Sequence, residues 1–172
     1  MARLGVAIIK ERPDWLPAIV SIDGVWELVL SRLYTIFDRD FKQLKPMFSA
    51  MQVWWDRRFL GGERYEEGFW HLISRYEKEI GERLLDPRRA ERLPWCCPTL
   101  INARDNAVKV WDYKEGSGRM RTYVWLEDWD YVVILEKRKH RIGKIAFLIT
   151  AFHVDGKSRR INIERKYLKK EA

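Results

Sequence analysis

Val108-Lys109-Val110-Trp111-Asp112-Tyr113, Arg119-Met120-Arg121-Thr122-Tyr123-Val124-Trp125-Leu126, Tyr131-Val132-Val133-Ile134-Leu135-Glu136 and Ile145-Ala146-Phe147-Leu148-Ile149-Thr150-Ala151-Phe152-His153-Val154 follow one another with little between them. The first two runs alternate apolar and polar residues, the pattern of a half-buried strand. Met120, Thr122, Val124 and Leu126 share one face of the second. The third and fourth are β-branched, apolar runs of the central-strand type. Lys114-Glu115-Gly116-Ser117-Gly118 and Lys139 to Gly143 are turn signals. Links this short join only antiparallel neighbours. Residues 108–154 therefore predict a four-stranded antiparallel meander.

Upstream, the pattern is helical. Asp23-Gly24 opens a helix with Asp23 as N-cap. Trp26, Val29, Leu30, Leu33, Phe37 and Phe41 recur at helical spacing, and Lys45-Pro46 ends the helix. Met47 to Trp55 reads as a strand, and Gly61-Gly62 as a turn. Phe69-Trp70-His71-Leu72-Ile73 is a compact apolar segment enclosing a histidine. Asp86-Pro87 starts a brief helix, a cap followed by proline at the first helical position. Trp95 to Asn106, with Pro98 inside, reads as irregular. Downstream of the strands, Ser158 to Lys170 suits a basic terminal helix carrying Ile161, Ile163, Tyr167 and Leu168. Helices followed by a meander make an α+β domain. Residues 1–22, with Pro13 and Pro17 and no clear period, form an N-terminal arm, and residues 23–172 one domain. The chain has 172 residues, near the usual size of a single domain.

Composition narrows the function. Hydrophobic residues are 47% and charged residues 34%, which argues against disorder. No apolar run approaches the ~20 residues of a membrane span, and Met1 to Arg12 lacks the features of a signal peptide. Adjacent Cys96 and Cys97 cannot staple distant segments, so a secreted disulfide scaffold is excluded and a reducing cytoplasm expected. The 33 Lys and Arg against 25 Asp and Glu give +8. Between Lys137 and Lys170 stand twelve cations and two acids, Asp155 and Glu164, so this segment holds +10 and the remainder −2. Such a concentration favours an anionic partner, whether nucleic acid, a phosphate ligand or an acidic membrane surface, although a charge run is also an ordinary solvated face.

Three histidines occur: His71, His140 and His153. His140 lies in a turn. His71 lies in an apolar segment, where it is either a core histidine bonded to a backbone carbonyl or a general base with a near-neutral pKa. Strand alternation puts Thr150 with Leu148 and Phe152, and His153 with Ile149 and Ala151, so Thr150 and His153 should not share a site unless a bulge intervenes. Metal chemistry is poorly supported. Cys96-Cys97 lacks a spacer, and Asp130 with Glu136-Lys137 is only a faint metal-nuclease pattern.

Phe69 to Ser74, Gly81-Glu82-Arg83, Asp86 to Arg92 and Leu93-Pro94-Trp95, followed by Val108 to Trp111, Asp130 to Leu135 and Phe147 to Phe152, resemble phage- and prophage-associated nucleases of the barnase–EndoU–colicin–RelE type. The resemblance spans roughly residues 25 to 169. It implies a small metal-independent endoribonuclease, toxin-like or phage-derived, needing no cofactor, acting on RNA in the cytoplasm and sometimes met by a neutralising protein partner. In that chemistry a base deprotonates the ribose 2′-hydroxyl, which attacks the adjacent phosphate to leave a 2′,3′-cyclic phosphate and a 5′-hydroxyl. The resemblance makes His71 the base, Thr150 a phosphate or positioning hydroxyl, and Arg83, Arg89 and Arg92 phosphate ligands. Lys109 could stabilise the transition state. Phe152 departs from the tyrosine expected there, leaving His153 as the replacement acid, against the parity argument. Arg138, Arg159, Arg160 and Lys166 of the basic segment complete the expected RNA surface. For Arg83, Arg89 and Arg92 the ordinary alternative is a surface ion pair with Glu82, Asp86 or Glu91. A non-enzymatic nucleic-acid-binding or phage-assembly module would use the same basic surface.

Overall fold

The computed structural model describes residues 10–170. The described residues are α+β, with five α-helices and a six-stranded, mostly antiparallel sheet of order β1-β2-β8-β7-β6-β5. The sheet holds one strand more than the sequence predicts. β1 (Met47–Phe48) and β2 (Met51–Trp54) form a tight hairpin where one strand was anticipated, and β2 lies parallel to β8 (Gly143–His153) through Gln52, Val53 and Trp54. Ser49 and Ala50 both turn through positive φ between them, a conformation the residue types do not advertise. β5 (Val108–Lys114), β6 (Met120–Leu126), β7 (Tyr131–His140) and β8 pair in sequence order as antiparallel neighbours. β7 and β8 run to His140 and Gly143, so the expected turn over Lys139 to Gly143 shrinks to Arg141-Ile142.

α1 (Trp26–Phe37) presents Val29, Leu33 and Phe37 to the core, and a π-helical turn over Asp38–Gln43 carries the same stripe on to Phe41. Its N-cap is Val25, without a side-chain cap; the Asp23 carboxylate instead accepts from the Ser21 hydroxyl. α2 (Glu67–Ile73) leads into a hairpin of β3 (Ser74–Glu77) and β4 (Glu82–Leu85). α3 (Pro87–Glu91) starts as the sequence predicts, with the Asp86 carboxylate accepting from the backbone N–H of Arg88 and Arg89. Most of the stretch from Trp95 to Asn106, expected to be irregular, lies in a helix, α4 (Leu93–Ile101). Its first turn tolerates Pro94, and Pro98 sits inside it.

These helices cover one face of the sheet, where Leu33, Phe37, Phe69, Leu100, Val124 and Leu135 are buried together. α5 (Gly156–Leu168) covers the other, over Trp111, Tyr123, Trp125 and Val132. That two-sided burial explains why Thr122 to Leu126 is buried without interruption. Ile163 and Tyr167 face the sheet, while Ile161 and Leu168 are exposed. The described part of the arm lies on the domain: Leu16 is buried, the Trp95 indole N–H donates to the Pro17 carbonyl, and Val20 N–H donates to the Glu91 carbonyl. Cys96 and Cys97 are free thiols buried in α4, and desolvation lifts both, Cys97 to about 12. Among the described residues no helix is long and apolar enough to cross a membrane.

Candidate functional site

A cleft of about 740 Å³ opens between the β3–β4 hairpin, the end of α2 and β8. His71, Arg83, Arg89, Thr150 and Arg159 line it. Five positions spread over 89 residues of sequence thus meet on one surface. The reason is local. α2 ends at Ile73, so His71 sits in its last turn, and the chain then turns straight into β3. Beyond Phe147, β8 has no β2 partner, and residues of α2 and α3 take that edge instead.

The His71 ring is 36% exposed, with Nε2 facing the Glu67 carboxylate at 3.4 Å one turn back. The same carboxylate oxygen accepts from the Arg83 guanidinium at 2.8 Å. A carboxylate can only accept, so a hydrogen bond closing this gap would put the proton on Nε2 and leave the Nδ1 lone pair free. Burial, and then the charge of Arg83, hold the His71 pKa below its ordinary 6.5. The imidazole is neutral at neutral pH. Glu67 was missed in the sequence because the segment was not recognised as helical; the i, i+4 spacing to His71 is the signal that would have found it.

Thr150 and Arg89 are committed elsewhere. The Thr150 hydroxyl donates to the His71 carbonyl at 3.0 Å. One Arg89 nitrogen donates to the Ser74 carbonyl at 3.0 Å, the Thr150 hydroxyl at 3.2 Å and the His71 carbonyl at 3.4 Å. Arg89 therefore fastens α3 to α2 and β8. A bulge at Ile149 shifts the register, pairing Ile134 with Thr150 and Leu135 with Leu148. Leu148 and Ala151 consequently share the buried core, contrary to simple alternation, and Thr150 no longer faces with Leu148. The bulge precedes both Thr150 and His153, so it does not bring them together. His153 Nδ1 lies 2.8 Å from Asp155, which also pairs with Arg88.

Lys109 does not join the cleft. It pairs with Glu127 at 2.5 Å and lies over the Trp125 and Tyr167 rings. Most of the cations expected to bind RNA are likewise spent on carboxylates of the same molecule. Arg92 pairs with Glu91, Arg138 with Glu136, Arg160 with Asp130 and Glu164, and Lys166 with Glu115. Four of the twelve cations in the +10 segment, Lys137, Arg138, Arg160 and Lys166, are thus paired with acids of the −2 body, contacts that composition cannot reveal. Around the cleft, Arg75, Lys78 and Arg159 have no carboxylate partner among the described residues, although Glu77 and Glu79 share the rim. Among those residues no group of three His, Cys, Asp or Glu is arranged to hold a metal ion.

Against protein families, curated proteins and solved structures, the chain finds no match.

Proposed function

We propose that the protein is a metal-independent endoribonuclease whose centre is the cleft around His71, as the resemblance to barnase–EndoU–colicin–RelE-type nucleases implies. One observation carries the reading: a neutral imidazole, backed by a carboxylate, stands at the mouth of a cleft with unpaired cations. His71 Nδ1 accepts the proton of the ribose 2′-hydroxyl. The 2′-oxygen attacks phosphorus, the bond to the 5′-oxygen breaks, and that oxygen takes a proton from the solvent filling the open cleft. Arg83 and Arg159 stabilise the charge gathered on the phosphoryl oxygens. Glu67 holds the ring and favours the imidazolium once it forms. Arg89 and Thr150 serve as positioning residues. Lys109 and His153 have no part in this scheme.

The reading is tested by incubating single-stranded RNA with the protein in EDTA. Cleavage to 2′,3′-cyclic phosphate ends, lowered about 10²–10⁴-fold by His71→Gln, is expected for loss of a general base. Cleavage that survives His71→Gln, or that EDTA abolishes, overturns it. A second reading, an RNA-binding module without chemistry, is favoured by one fact: the Thr150 hydroxyl and Arg89 are occupied internally. Salt-sensitive binding with no cleavage selects it.

A further inference from the structure

A second cavity of about 370 Å³ lies on the opposite side of the N-terminus of α2, lined by Phe41, Lys42, Trp55, Arg57 and Phe59 together with Lys45. Its size falls in the roughly 300–1,000 Å³ range of small-ligand pockets. Its chemistry is unlike that of a core void. Phe59 is 57% exposed, a large aromatic face turned to solvent. Arg57 lies over the rings of Trp54 and Trp55, 4.1 and 4.5 Å from their centroids. An arginine fixed by indoles rather than by a carboxylate is ordered and yet keeps its N–H fork for an anion. Neither Arg57 nor Lys45 has an acidic partner within salt-bridge distance among the described residues. Lys42, by contrast, is held by buried Glu66 and by the Tyr34 hydroxyl.

The cavity adjoins the His71 cleft through one short segment. Gly68 N–H donates to the Asp56 carbonyl at 2.8 Å, and Glu67 N–H to the Arg58 carbonyl at 2.9 Å. Residues 56–58 are thereby laced to the helix start that presents Glu66 to this cavity, one turn before His71 in the cleft. An exposed aromatic face beside free cations is the pairing that accepts an unpaired base and its phosphate.

We propose that this cavity is a nucleotide subsite for single-stranded RNA, stacking one base on Phe59 and holding its phosphate with Arg57 and Lys45. The proposal rests on the ribonuclease reading for its substrate class, and goes beyond it in placing a second contact remote from the reacting phosphate. The strand then spans two anchors, with the scissile bond at the His71 end.

The probe is a fluorescein-labelled 2′-O-methyl RNA octamer, which cannot undergo 2′-hydroxyl attack, followed by anisotropy over a salt series. Arg57→Gln and Phe59→Ala alter exposed side chains, and unchanged thermal melting shows that each folds. Each should weaken binding about five- to tenfold, and Arg57→Gln should lower the salt slope by about one. Lys45→Gln should do the same as Arg57→Gln. Binding within twofold of wild type in all three variants, or no octamer binding at all, overturns the subsite. The two readings fail separately: cleavage that needs His71 with octamer affinity unchanged in the variants removes only the subsite. Arg57-dependent binding by a protein that never cleaves RNA removes only the catalysis.

Discussion

The Thr150 hydroxyl donates to the backbone carbonyl of His71 at 3.0 Å, joining an interior strand of the sheet to the last turn of α2 across 79 residues of sequence. That bond fixes the height of the candidate base above the sheet. Thr150→Val keeps the shape and removes the donor. We expect a loss of about 1–2 kcal/mol, the cost of an unmade hydrogen bond at a partly buried site, read by urea unfolding. Thr150→Ser should restore most of it. Arg89→Met, which strips three acceptors of a charged donor, should cost more than Thr150→Val.

His71 gives stability a pH dependence of definite sign. Its folded pKa lies below 6.5 because burial and Arg83 disfavour the imidazolium. As pH falls through the unfolded value, the unfolded chain takes up this proton before the folded one. The contribution is therefore complete above 6.5 and declines between that value and the lower folded one. Histidine NMR titration should find the His71 midpoint below 6.5, and Arg83→Gln should move it upward. A midpoint above 6.5 in the wild type contradicts the assignment.

Gly68 lies where α2 passes Trp55. A Cβ at this position would stand 2.8 Å from both Cβ and Cδ1 of Trp55, a residue itself packed against Phe37 and Phe41. Gly68→Ala gains about 1 kcal/mol of helix propensity. Overpacking costs roughly 1–3 kcal/mol and displaces the helix that bears His71. The variant should melt lower than wild type and lose RNA cleavage out of proportion to its loss of fold, by calorimetry and a cleavage assay respectively.

Arg159 and Lys166 stand on the same helix with opposite fates. Arg159 faces the cleft; Lys166 is bonded to Glu115 and the Tyr123 hydroxyl. Arg159→Gln should weaken RNA binding and lower the salt slope by about one, with little change in melting. Lys166→Gln should leave RNA affinity within twofold and cost roughly 1–2 kcal/mol of stability. A filter-binding salt series beside thermal melts separates the two.

The strands after Val108 were legible because their patterning and turn signals are local properties of the chain. So was the start of α3, where Asp86 caps and Pro87 follows. The hairpin at 47–54 was not, since it depends on Ser49 and Ala50 adopting positive φ and on a parallel contact with β8 nearly a hundred residues away. α4 was hidden by Pro94 and Pro98, which read as breakers although a first-turn proline costs a helix little. At the cleft, residue types could be named but not their duties. Arg89 and Thr150 carry the composition of a phosphate site and are used as internal ties. Whether a cation is free or paired is a tertiary fact, and Lys109, Arg138 and Arg160 were all read without their partners.

The vicinal thiols of α4 give the molecule a built-in chemical clock. Cys96 and Cys97 are shielded from solvent and hold their protons far above physiological pH, so almost no thiolate is present in the closed state. An alkylating reagent can reach them only in molecules whose α4 has parted from the sheet. Each modified chain then records one such opening, and the rate of labelling reports how often the helical layer around α4 comes away from β6 and β7.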